Sequence, residues 1–217
     1  MELHFVYGGI AAKNFVLPIS QSCKNESIIF YQRSNVNDIF KMNGIRALPL
    51  WFDIKISPKL NILILIRSLF YLFRLLKKYP NCELISHMTT YSPFTLLIAL
   101  LVKVKKRIYF NHGFAHIGSK GFEKVFLFIL EFLNCAIASK VVTVSPSHLE
   151  YIKKGFISKI ADIKSIYPGS CSGIDTSKLI SIDAMNKKLI SLNSRDENIY
   201  ISYIGRPFAR KGFPFIL

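Results

Sequence analysis

The chain of 217 residues is 51% hydrophobic and 13% aromatic, enough to bury a full-sized core, which excludes a disordered tail. Its formal net charge of +16 at pH 7, from 29 Lys and Arg against 13 Asp and Glu, exceeds what solubility needs. It calls for an anionic partner: a phosphorylated substrate, a nucleic acid or an anionic membrane surface.

The start, "MELHFVYGGIAAK", lacks the basic segment, apolar run and small-residue site of an export signal. "LHFVY" predicts a buried strand ending at Gly8-Gly9, and "SIIFYQ" and "RALPLWF" predict two more. From Leu60 to Lys78 the sequence predicts a helix with apolar residues on nearly every side and cations at Arg67, Arg74, Lys77 and Lys78. The last two suit a helix C-terminus. "CELISHM" predicts a strand, residues 93–103 a helix with Pro93 at its start, and "KRIYFNHG" a strand running into a loop. A helix from Gly121 and the strand "KVVTVS" follow. Strands separated by helices of this length predict parallel βαβ units, that is, an α/β fold with a Rossmann-like doubly wound sheet.

Three apolar stretches, "NILILIRSLFYLFRLLKK", "SPFTLLIALLVKVKK" and "VFLFILEFLNCAIAS", are each broken by charge or shorter than the roughly 20 residues a membrane span requires. Cys23, Cys82, Cys135 and Cys171 form no CxxC unit and no zinc spacing, so they read as reduced thiols of a cytosolic protein. After Asp175 the sequence turns polar. The expected organisation is a domain over residues 1–180, a linker over 181–197 and the start of a second domain over 198–217.

In a doubly wound sheet, ligands bind at the carboxyl ends of strands, so the loops that follow strands are the candidate sites. Gly8-Gly9 would let backbone N–H groups approach a phosphate or sugar, or would only make a tight turn. His112 follows a strand directly in "YFNHGFAHIGSKG", where an imidazole could hydrogen-bond a substrate hydroxyl or phosphate. His116 is four residues on, but no third ligand accompanies the pair, so no metal site is assigned. In "VVTVSPSHLEYIKKG", Ser145 with Pro146 starts a helix, or Ser147 with Glu150 forms a capping box. Ser145 lacks the GxSxG setting of a nucleophile. Gly169, Gly173 and Asp175 shape a loop, either as turn chemistry or as the lining of a cleft.

"VVTVSPSHLEYIKKG", "IKSIYPGSCSGIDTSKL" and "ISYIGRPFARKG", in that order, resemble the retaining glycosyltransferases of family 4, whose GT-B architecture pairs two Rossmann domains. "RIYFNHGFAHIGSKG" resembles the His-Gly loop of bacterial members that assemble capsule, O-antigen or other polyprenol-linked glycans. The resemblance covers most of residues 84–217. It implies transfer of a hexose or N-acetylhexosamine from a nucleotide diphosphate sugar to a polyprenol-linked or glycan acceptor, with no metal and no other cofactor. Residue by residue, it implies that Gly205, Arg206 and Lys211 hold the donor diphosphate together with the Gly8-Gly9 loop. His112 would then be the catalytic histidine near the reacting sugar. An Arg fork and a Lys point charge suit the negative charge that develops on a leaving diphosphate.

The family pattern continues with a second domain that holds two glutamates, eight apart, and this sequence ends at "GFPFIL". The expectation is a truncated chain, inactive alone. A non-catalytic remnant or partner-binding domain is the alternative, and a basic nucleic-acid-binding protein a more distant one. The expected location is cytoplasmic, peripheral on the inner face of the plasma membrane, with the helix from Leu60 to Lys78 lying in the interface or packing as a core helix with a solvated basic edge.

Overall fold

A computed structural model of the protein describes residues 1–6, 15–22, 26–32, 46–50, 58–154, 162–166 and 187. The chain divides into two compact units, Met1–Ser172 and Gly173–Leu217, and every described residue but Lys187 belongs to the first.

Apolar runs of four to six residues cannot cover a helix face, but they suit strands buried on both sides. They form β1 (Glu2–Val6), β2 (Ser27–Gln32), β3 (Arg46–Leu50), β4 (Glu83–Ser86), β5 (Lys106–Asn111) and β6 (Lys140–Thr143), and β7 (Asp162–Ser165), polar but for Ile163, is the last strand. Between them stand α1 (Leu17–Ser22), α2 (Pro58–Lys78), α3 (Ser92–Leu101), α4 (Gly121–Ile137) and α5 (Pro146–Lys154). The strands form one sheet in the order β3-β2-β1-β4-β5-β6-β7, parallel at every pairing. The chain builds outward from β1 in one direction, then returns and builds in the other. The carboxyl ends of β1 and β4 therefore flank the switch point of a doubly wound sheet, where such folds open a crevice.

Side chains alternate across a strand, and each face has its own partners. Leu3, Phe5, Leu84, Tyr109 and Val141 join Leu72 and Leu76 of α2, Leu96 and Ala99 of α3, Cys135 of α4 and Ile152 of α5 in one buried apolar cluster. Glu2, His4 and, beyond the end of β4, His87 fall on the opposite face by register.

Local chemistry explains the element ends. Pro58 opens α2 at a position that needs no N–H, two residues before the expected start. The expected helix over 93–103 stops at Leu101, because Lys103 adopts φ 61°. Its N–H then bonds Leu100 O at 2.9 Å and that of Val104 bonds Ala99 O at 2.8 Å, the paired bonds of a Schellman cap. Strand β6 ends at Thr143 rather than Ser145 because Ser145 caps α5, its Oγ accepting the His148 N–H at 3.3 Å. Of the two expected helix starts there, the one built on Ser145 and Pro146 forms.

Cys82 and Cys135 are buried free thiols, and burial pushes both up from the ordinary thiol range. Among the described residues no helix is long and apolar enough to cross a membrane.

Candidate functional site

His112 is the first residue after β5 and His87 the first after β4, so both stand at the carboxyl edge of the sheet beside the switch point. His4 lies inside β1, whose neighbour is β4. Three adjacent strands thus bring three imidazoles into a row. His4 Nδ1 is 3.2 Å from His87 Nε2, and His87 Nδ1 is 3.1 Å from His112 Nε2. The row ends inside the protein on Glu2, whose Oε2 is 3.3 Å from His4 Nε2.

His4 is completely enclosed and His87 and Glu2 are nearly so. His112 is half-buried at the open end. Phe110 lies against both outer imidazoles, its ring centroid 5.2 Å from His87 and 4.9 Å from His112. Phe15, just before α1, covers His112 at 5.2 Å. Apolar walls of this kind disfavour the imidazolium. Burial, with His4 and His112 as neighbours, holds His87 well below the ordinary imidazole range. Burial alone lowers His112 to about 4. At neutral pH both are uncharged rings that can give or take one hydrogen bond per nitrogen.

The chain must leave the sheet immediately after His112. Gly113 makes this turn with φ 146°, a region that disfavours a side chain, and its N–H bonds Asn111 Oδ1 at 2.8 Å. His116 does not join His112. Its Nε2 lies 3.0 Å from Tyr151 Oη within a ring cluster that includes Phe114 and Phe128. Among the described residues no group of three or more His, Cys, Asp or Glu could hold a metal ion.

On the opposite face, Tyr109 Oη donates to Glu131 Oε2 at 3.0 Å and the Asn111 amide donates to Glu131 Oε1. Thr89 Oγ1 reaches Tyr109 Oη at 3.2 Å. Glu131 is fully enclosed, and burial pushes its carboxyl up to about 7 against the pull of these hydrogen bonds.

Of the sequence-derived site residues, His112 is placed as described. Gly8, Gly9, Gly169, Gly173, Asp175, Gly205, Arg206 and Lys211 lie outside the described residues. Glu2, His4 and His87 were not singled out from the sequence. The position of His87 directly after a strand, which it shares with His112, was the available signal.

No protein-family model matches the sequence, nor does any curated protein. Solved structures do match. Anabaena Alr3699/HepE, in complex with UDP and glucose, aligns with a TM-score of 0.58 at 12% identity, over 88% of this chain and 50% of that one. A glycosyltransferase from Rickettsia africae aligns with a TM-score of 0.53 at 16% identity, over 90% and 50%. The likeness is one of fold: the Rossmann-like α/β sheet expected of a GT-B half. This chain spans about half the length of either structure.

Proposed function

We propose that the chain carries the acceptor-side domain of a glycosyltransferase. It would transfer a hexose or N-acetylhexosamine, with retention, from a nucleotide diphosphate sugar to a polyprenol-linked or glycan acceptor in surface-polysaccharide synthesis. The observation that carries this reading is the position of His112. It is a neutral imidazole at the carboxyl edge of a doubly wound sheet, beside the switch point, in a fold shared with a glycosyltransferase and with a protein solved with UDP and glucose. Arg206 and Lys211 are assigned to the donor diphosphate, where fixed cations stabilise charge that grows as the sugar leaves. His112 is assigned to the reacting sugar.

A lipid-linked acceptor gains support from the helices on the far side of the sheet. α2 packs against α3 and α3 against α4. Their outer sides expose Leu63, Phe70, Leu97, Leu101, Phe122 and Phe126. Arg67, Arg74, Lys77, Lys78 and Lys124 are exposed on the same helices. An apolar surface edged with cations suits an anionic leaflet, where each cation contributes about 1 kcal/mol.

The test is binding of this chain to vesicles that carry a polyprenyl-diphosphate sugar, against vesicles that lack it. Acceptor-dependent binding that falls at least about tenfold in His112→Ala, a loss of ~1.4 kcal/mol, is expected. Vesicle binding that ignores both the acceptor and His112 overturns the reading.

A further inference from the structure

We infer that Glu2, His4 and His87 are positioning residues that fix the tautomer of His112, with its proton on Nε2, so that Nδ1 meets a ligand as a hydrogen-bond acceptor. Counting hydrogens along the row carries the inference. With Glu2 ionised and one proton on each ring, both taken as part of the inference, the carboxylate has only lone pairs to offer, so the 3.3 Å contact between Glu2 Oε2 and His4 Nε2 uses a proton on His4 Nε2. In a neutral imidazole the other nitrogen is then an acceptor. His4 Nδ1 therefore takes the His87 Nε2 proton across 3.2 Å. By the same rule His87 Nδ1 takes the His112 Nε2 proton across 3.1 Å. The lone pair left over is on His112 Nδ1, to which no described residue hydrogen-bonds.

One extra proton anywhere in the row would make Nδ1 a donor, reversing both histidine-to-histidine bonds if it sat on His4, one if on His87 and neither if on His112. Burial of His87 and of His112, which lowers both rings, opposes that proton. The register neighbour of Glu2 on β4 is Glu83, which is already paired with Lys106. The contact Glu2 makes within the row is the one with His4.

The chemical class of the ligand follows. An acceptor nitrogen takes a hydroxyl, which brings a proton, and refuses a diphosphate oxygen, which at neutral pH brings only lone pairs. Naming that hydroxyl as a sugar's rests on the transferase reading above. The tautomer rests on the row alone.

The test is a two-bond ¹H–¹⁵N histidine spectrum of the full labelled chain without ligand at pH 7, with His112 assigned by the signal lost in His112→Gln. A neutral ring protonated at Nε2 is expected. A proton on Nδ1, on both nitrogens, or averaged between them overturns the inference. Glu2→Gln, with the remaining spectrum still native, should lose the single-tautomer pattern; an unchanged His112 overturns the role of Glu2. If Glu2→Gln does not fold, His87→Phe cuts the row one step from His112 and must produce the same loss. Because no ligand is present, failed acceptor binding with the Nε2–H pattern intact overturns only the functional reading.

Discussion

The two faces of the sheet each enclose a polar network, and the networks differ in how they end. On the α4 face the carboxyl of Glu131 is met by donors from Tyr109 and Asn111, and the chain of bonds closes inside the protein. On the other face the bonds run from Glu2 through His4 and His87 to His112 at the sheet edge. A closed network satisfies buried polar groups and specifies packing. The open one leaves His112 Nδ1, to which no described residue hydrogen-bonds. The difference teaches that burial and perturbed ionisation, which both networks show, do not mark a site by themselves; a ring nitrogen at the sheet edge with no described partner is the sharper sign.

The comparison can be broken most severely at Glu131. Glu131→Ala removes the acceptor of Tyr109 and Asn111 and leaves a void among buried residues. A loss of about 3–5 kcal/mol in stability is expected, measured by urea unfolding. Conditions that keep the variant folded should leave the His112 signals nearly unmoved. If stability falls by less than about 1 kcal/mol, the network is not the structural closure described.

Titration separates the faces by sign. His112 is lowered from 6.5 to about 4, so the unfolded chain binds more protons in that window. The contribution is full above 6.5 and is lost as pH falls through about 4, up to about 3 kcal/mol. Glu131 is raised from 4.5 to about 7, so its contribution is full below 4.5 and is lost as pH rises through about 7. His112→Gln should flatten the acid limb of stability against pH, and Glu131→Gln the limb approaching neutrality. If either variant flattens the opposite limb, the assignment of charge states to the two faces is wrong.

Much of this architecture was legible because parallel strands are written as short apolar runs. "SIIFYQ" matches β2 residue for residue, and Pro93 sits in the first turn of α3. A helix is expected after the Gly8-Gly9 turn but without bounds: the six residues of α1, beginning Leu17-Pro18, are too few to show a helical period. The row was missed for a different reason. Glu2 stands just outside the run "LHFVY" that predicts the first strand; it lies inside β1, where it meets His4. That partnership with His87 depends on β1 lying beside β4, a pairing of residues 83 apart in sequence. Spacing within a strand carries no record of register between strands.

The smallest expected effect tests where the two networks touch. Asn111 gives its amide to Glu131 and takes the N–H of Gly113 on its oxygen, while His112 between them points its ring into the other network. Gly113 has room for a methyl group, whose nearest neighbour would be the His148 ring at 3.7 Å. Its φ of 146°, not space, is the obstacle. Gly113→Ala should therefore cost about 1–3 kcal/mol through backbone strain, and relief of that strain would rotate the residue next to it. The informative result is which network yields. A changed His112 tautomer with Glu131 unmoved means that the open row is the softer of the two and that the closed face holds the turn. A raised or lowered Glu131 titration with His112 unmoved would reverse that ranking, and the edge histidine would then owe its placement to its own row rather than to the face behind it.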